Sequence, residues 1–283
     1  MMASTKNDPH PHGPHVITYS ATLDVPEATA ALLTDLLIAE RRRGTGIGAR
    51  AASARAQAIL VLRWFREDAD MPTLAHDAGV SQATGYRYLH EGIDVLAAQA
   101  PELHQVLQAG RAAGWSHVTL DGTLIATDRC RTKNPDTGHD LWYSGKHKAH
   151  GGNVQVVCDP SGFPVAVSDV QPGSAHDLAA ARATGFLGTL HAAAALLGLP
   201  TLADKGYDGG GIGVHTPAKG AHLAPSTACR NQLLTRLRAE GERGIALLKT
   251  RWKALHRIRL CPQRIGAIVA AALVLTSAER PIR

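Results

Sequence analysis

The sequence predicts an α/β fold preceded by an all-helical segment. Three observations carry this reading. From Val25 to about Ala113, apolar residues recur at helical spacing. At Ser116 the period changes: His117-Val118-Thr119-Leu120-Asp121 and Gly152 to Asp159 are short β-type runs. From there the order is strands, helix, strand, helix, which is the order of a mixed sheet flanked by helices.

Bulk properties set the limits. The chain has 283 residues, one large or two modest domains at roughly 100–200 residues each. Hydrophobic residues make up 45% and aromatics only 4%, so Ala, Leu, Val and Ile must build the core. A net charge of +6 and a pI of about 9.3 favour a polyanionic partner. The four cysteines, Cys130, Cys158, Cys229 and Cys261, form no C-x-x-C pair. That pattern is neither a disulfide framework nor a zinc ribbon, and it suits reduced thiols in a cytosolic protein. The first residues are polar, unlike a signal peptide. The longest apolar run, near Ile265 to Leu275, falls short of the ~20 residues of a membrane span and reads as a buried helix.

Along the chain, residues 1–15 interleave Pro9, Pro11 and Pro14 with His10, His12 and His15, as a disordered tail would. Val25 to Arg43 reads as a helix with Pro26 in its first turn. Arg41 to Gly48 reads as a basic, flexible linker, and a second helix covers about Ala51 to Arg66. Within Pro72 to Leu89, two short helices are expected, capped by Thr73 and Ser81. Gly79 stands at the turn between them, where φ must be positive, and Ala75 is small enough for close approach. This is a helix-turn-helix pattern at about residues 73–90, with a plain αα-hairpin as the alternative. Its second helix would present Gln82, Thr84, Tyr86 and Arg87, side chains that reach base edges and phosphates. Gly85 stands where a larger apolar residue is expected.

A further helix is predicted from about Ala98 to Ala113. Thr123 to Thr127 alternates and would pair with the strand before it. Gly152 to Asp159, a turn through Pro160-Ser161-Gly162, and Phe163 to Val170 complete an antiparallel meander. Ala-rich helical sequence from about His176 to Leu197 leads to a short strand, Pro200 to Asp204. A Gly-rich loop, a helix around Asn231 to Leu255 and the apolar helix follow.

The positions of the acids are informative. Asp121 is read as ending the first strand and Asp204 as ending the strand after the helix, each with a glycine close behind. Ligands gather at the carboxyl ends of strands in such sheets. Two neighbouring carboxylates repel unless a cation or proton lies between them, and hard divalent cations take oxygen ligands of this kind. Arg238, Glu242 and Lys249 fall within about a 40° arc of one helix. That face could complete a metal site and clamp phosphates beside it; a solvated face with an i,i+4 pair is the alternative. Glu240 is the competing acid and points to another face.

At these residues the chain resembles the insertion-sequence transposases of the DDE superfamily, in the branch with the R-x3-E-x6-K signature. Arg238, Glu242 and Lys249 carry that spacing; Asp121-Gly122-Thr123 and Ala203-Asp204-Lys205-Gly206-Tyr207 resemble the two aspartate motifs. Tyr143 to Gln155 and Gln171 to Asp177 resemble blocks between them, in the right order. The signature often has a tyrosine three residues before the arginine, where this chain has Thr235.

The resemblance implies an RNase H-like catalytic domain over 114–283, after a helical DNA-binding domain over 16–113. It implies Asp121, Asp204 and Glu242 as ligands of Mg²⁺, with Mn²⁺ as a substitute, and Asp177 in a supporting position. The implied chemistry is phosphodiester hydrolysis followed by transesterification. Lys146, His147, Lys148, Arg238 and Lys249 would hold DNA backbone, and Lys205 would neighbour the site. The expected partner is double-stranded DNA, both terminal inverted repeats and target, bound by a homodimer without a membrane, in the cytoplasm at the nucleoid. A nuclease that cuts without joining and an inactive, transposase-derived DNA-binding protein are the alternatives.

Overall fold

The computed structural model describes residues 21–44, 50–135 and 137–280. The proline- and histidine-rich stretch 1–15 and residues 45–48 of the expected linker lie outside them. The first five helices are α1 (Glu27–Gly44), α2 (Ala54–Glu67), α3 (Met71–Asp77), α4 (Gln82–Ala97) and α5 (Leu103–Ala112). Arg41 to Gly44 is therefore helix, not linker. The reason is burial: the Arg41 guanidinium donates to Gln57 Oε1 at 2.7 Å and to the Ala52 carbonyl at 3.2 Å. Polar partners inside the fold turn that part of the basic run into a structural anchor.

Between α3 and α4 the chain turns at Gly79, whose φ is +64°. Ser81 caps α4, accepting from the Thr84 amide. The cap of α3 is Asp70, not Thr73: its carboxylate accepts from both the amide and the hydroxyl of Thr73. A carboxylate at the N-cap also opposes the helix dipole favourably. Gly85 has a packing reason. A Cβ there would lie 2.7 Å from Met71 Sδ and 3.1 Å from Ala75 Cβ, so α4 crosses α3 too closely for a side chain. The next helix begins at Leu103, not Ala98, because α4 runs to Ala97 and Pro101 lies in the break.

The sheet contains β1 (Val118–Ala126), β2 (Tyr143–Ser144), β3 (Ala149–Cys158), β4 (Pro164–Val167), β5 (Gln171–Pro172), β6 (Thr201–Ala203) and β7 (Val214–His215). Its order is β2-β3-β1-β6-β7, with β4 and β5 also on β3. β1–β3 and β3–β4 are antiparallel, so the expected meander is present; β6 and β7 run parallel to their neighbours. One expectation is corrected. Val118 to Ala126 is a single strand, not two, and Asp121 lies in its middle. β3 pairs with it continuously from Thr119 to Ala126, and Gly122 continues the strand rather than turning it. The predicted helix from His176 is also two: α6 (Asp177–Ala183) and α7 (Phe186–Leu197), divided at Gly185 with φ +76°. α8 (Pro225–Arg251) starts and ends earlier than expected, and α9 (Ile265–Ala278) is the apolar helix.

The result is an α/β, RNase H-like architecture with an N-terminal helical region. α5, α6 and α7 cover one sheet face, packing on Val118, Leu120 and Val157. α9 and the end of α8 cover the other, over Ile125, Val154 and Val156. α9 is buried nearly all round because it also packs against α4. Leu33, Leu37, Phe65, Leu89 and Ile93 thus share a core with Ile268 and Leu275. Trp252 joins the regions: its ring meets Phe65 edge-on at 6.2 Å, and its indole donates to Thr276 Oγ1 at 2.8 Å. Outside this core, Asp24 holds both Arg66 and Arg251, and Arg251 also grips Glu279.

Candidate active site

The two central strands position the first pair of acids. β1 and β6 run parallel through three pairs, ending at Leu120 with Ala203. Asp121 and Asp204 are the next residue on each, so they leave the last pair side by side. Beyond it β6 turns into a 3-10 turn, Lys205–Tyr207, capped by Asp204, which accepts from the Gly206 amide at 2.8 Å. Asp121 accepts from the Gly122 amide at 2.9 Å. The turn is anchored by Tyr207, fully buried, whose hydroxyl donates to Gln155 Oε1.

A buried chain of amides then leads to a third carboxylate. Gln155 donates to Asn153 Oδ1 at 2.8 Å, and Asn153 donates to Asp177 Oδ1 at 2.8 Å and to the Ala175 carbonyl at 3.1 Å. Asp177 lies against Gly122, where a Cβ would strike its carboxylate. A Cβ on Gly206 would meet Asp204 Oδ1 at 2.8 Å and Asp177 Oδ2 at 3.6 Å. Asp177 and Asp204 therefore both border the space beside Gly206. Asp177 Oδ2 takes an ion pair from Lys146 at 3.0 Å. Roles for Asn153 and Gln155 were missed in the sequence. The available signal was two amides at period two in a run of Val154, Val156 and Val157, placing polar groups on one buried strand face.

α8 approaches from the opposite face. Gly241 lies directly on Thr119, and Gly244 on Cys158 and the Gly162 carbonyl. This close seat brings the predicted face of the helix toward β1. Lys249 Nζ donates to the Leu124 carbonyl at 3.0 Å. Arg238 is only 14% exposed, whereas Glu242 is 63% exposed and lies 3.8 Å from Arg238. Glu240 pairs instead with Arg243 at 2.6 Å.

Charges follow this geometry. Burial pushes the Asp121 carboxyl up to about 6; the Asp204 and Asp177 charges add to the rise, while Arg238 and the Gly122 amide oppose it. Burial pulls Lys249 below its ordinary value, against the pull of Asp121. Among the described residues, no three acid, histidine or cysteine side chains converge as a preformed metal site. Asp121 and Asp204 nevertheless offer adjacent hard oxygen donors whose mutual repulsion a divalent cation would relieve.

Residues 120–277 match the family model described as DDE superfamily endonuclease. The chain belongs to this family. No curated protein and no solved structure shows a significant match. The match begins beside Asp121, takes in Asp177, Asp204 and Glu242, and closes within α9; helices α1 to α5 lie outside it.

The remaining predicted residues lie on α4, in the β2–β3 turn and after β6. On α4, Gln82, Tyr86 and Arg87 are exposed, while Thr84 is half-buried and accepts from Arg87 at 2.8 Å. His147 and Lys148 are exposed between β2 and β3, with Lys148 at φ +52°. Lys205 is exposed beside Asp204. A cleft of about 690 Å³ opens next to Asp177, lined in part by Lys133, Tyr143, Lys146 and His147. No helix among the described residues is long and apolar enough to cross a membrane.

Proposed function

We propose that this DDE endonuclease is an insertion-sequence transposase that cuts at the element's terminal repeats and joins the freed 3′ ends to target DNA. The observation that carries the reading is the adjacent placement of Asp121 and Asp204 one step past the last parallel pair. The Arg238–Lys249 face of α8 lies over the same strand and supports it. Asp121, Asp204 and Glu242 would hold Mg²⁺, which Mn²⁺ can replace. When bound, such an ion activates an attacking hydroxyl and stabilises the leaving oxygen of an in-line displacement.

The chain's own residues do the rest. Glu242 stands exposed on α8 beside Arg238, apart from the two aspartates, and would have to turn toward them to complete the ligand set. Arg238 and Lys249 hold backbone phosphates at the scissile position. Lys146, His147 and Lys148 grip the flanking backbone from the β2–β3 turn, with Lys205 beside Asp204. Such contacts are independent of sequence and weaken with salt. Gln82, Tyr86 and Arg87, steadied by Thr84, read the terminal repeat from α4. A homodimer holds the two ends together.

The test is nicking of a labelled duplex carrying the ends that flank this gene, in Mg²⁺ or EDTA. Nicking at the repeat tip should need Mg²⁺ and fall at least about 100-fold in Glu242→Gln, beyond the usual loss for an outer-shell metal partner. Glu240→Gln should stay within roughly twofold, as a surface change does. A dead Glu240→Gln with an active Glu242→Gln would reassign the third acid. End binding without nicking by wild type would favour the inactive, DNA-binding reading. Arg87→Ala should weaken binding to the terminal repeat by about 1–3 kcal/mol more than binding to random duplex, measured by competition at fixed salt. Equal losses on both would remove the recognition role.

A further inference from the structure

We infer that Lys146 is the internal counter-ion of Asp177, and that its charge opposes the binding of a divalent cation by the neighbouring Asp121 and Asp204. The inference rests on the proposed reading that Asp121 and Asp204 hold that cation. Asp177 is fixed from behind: Asn153 ties its Oδ1, and Gln155 and Tyr207 hold Asn153 in turn. That leaves Oδ2 facing the space beside Gly206 that Asp204 also borders. Lys146 Nζ takes that oxygen at 3.0 Å.

The ammonium bonds Asp177, and the Asp204 and Asp121 charges act on it from farther away. Its proton is held above the ordinary lysine range, first by the Asp177 bond, with Asp204 and Asp121 both adding to the attraction. The neighbouring carboxylates of Asp121, Asp204 and Asp177 repel one another, and a single positive charge offsets only part of that repulsion. A divalent cation offsets more and at the same time repels the ammonium. Lys146 can yield, because its side chain is 60% exposed and stands next to Gly145 in the β2–β3 turn. Once displaced, it lies at the rim of the cleft with its charge available to a phosphate. One lysine thus has two successive roles: counter-ion before the cation binds, backbone contact afterwards. Asp177 correspondingly acts as a positioning residue, holding the ammonium in the first state.

The experiment is calorimetric titration of Mn²⁺ alone into the full chain, paired with thermal unfolding in EDTA. Lys146→Met keeps the chain length and removes the charge; it should bind Mn²⁺ about 5–20-fold more tightly than wild type, the scale of one partly screened charge. It should also unfold at lower temperature than wild type in EDTA. Lys146→Arg retains the charge and should stay within about threefold of wild type in Mn²⁺ affinity, since only the reach of the cation changes. Unchanged or weaker Mn²⁺ binding by Lys146→Met overturns the inference, provided wild-type binding is lost in Asp204→Asn. Wild-type Mn²⁺ binding that survives in Asp204→Asn, or its absence altogether, overturns the metal-site reading and the inference with it.

Discussion

Asp121→Asn is expected to abolish nicking and, at the same time, to raise the thermal stability of the metal-free chain at pH 8. Loss of activity follows from the central position of Asp121 beside Asp204, and should exceed the roughly 10–100-fold cost of losing an outer-shell metal partner. The stability gain follows from its carboxyl, raised from an ordinary 3.8 to about 6 by burial and by the Asp204 and Asp177 charges. A raised value means the native state holds this proton more tightly than the unfolded chain does. Stability from the group is fully present below pH 3.8 and is lost as pH rises through about 6. At pH 8 the ionised carboxylate therefore costs up to about 3 kcal/mol, at 1.36 kcal/mol per pH unit. Asparagine never ionises and removes that cost. In EDTA at pH 8, Asp121→Asn should melt roughly 5–10 °C above wild type, given about 2–4 °C per kcal/mol for a chain of this size. Near pH 4 the two should nearly coincide. A variant that melts below wild type at pH 8, or a difference independent of pH, would show that Asp121 is not electrostatically strained. The result would also separate function from folding, because a dead but stabilised protein cannot owe its inactivity to unfolding.

The second large effect concerns the seam between the helical region and the sheet. Trp252 is fully buried directly after α8, against Phe65 of α2 and hydrogen-bonded to Thr276 of α9. Trp252→Ala should destabilise the chain by about 3–5 kcal/mol, through lost apolar burial and the cavity left behind. Trp252→Phe retains most of the packing but leaves the Thr276 hydroxyl without its donor; its cost should be smaller by half or more. Denaturant unfolding followed by circular dichroism measures both. Because residues before and after the sheet share this core, wild type should unfold in one transition. A loss below about 1 kcal/mol in Trp252→Ala, the range of minor substitutions, would mean that the seam is held by its ion pairs instead. The candidates for that role are Asp24 with Arg66 and Arg251, and Arg251 with Glu279.

Much of this protein was legible from local rules. The change of period at Ser116, the turn at Gly79, the Ser81 cap and the apolar α9 each depend on a few neighbouring residues, and all appear where local chemistry puts them. The errors share a cause. Arg41 reads as part of a charged linker until its buried partners are known. Gly85 reads as a weak point in a helix until Met71 and Ala75 are seen against it. Asp-Gly at 121–122 reads as a strand end, yet the glycine serves the approach of Asp177 while the strand continues. In each case a contact distant in sequence gives the residue its meaning.

Fold class and family could be read from the residues alone, because periodicity and motif order are properties of the chain as written. It also marked Asp121, Asp204 and the Arg238–Lys249 helix face as the residues to examine. How they stand to one another follows from strand pairing and helix packing. The register of β1 on β6 puts the two aspartates side by side, and glycines at 241 and 244 let α8 lie down on the sheet. The Tyr207–Gln155–Asn153 chain fixes Asp177, with Lys146 on it, beside Asp204 across Gly206. Carboxylate repulsion depends on distance and burial, and neither exists until the strands pair and the helices close over them.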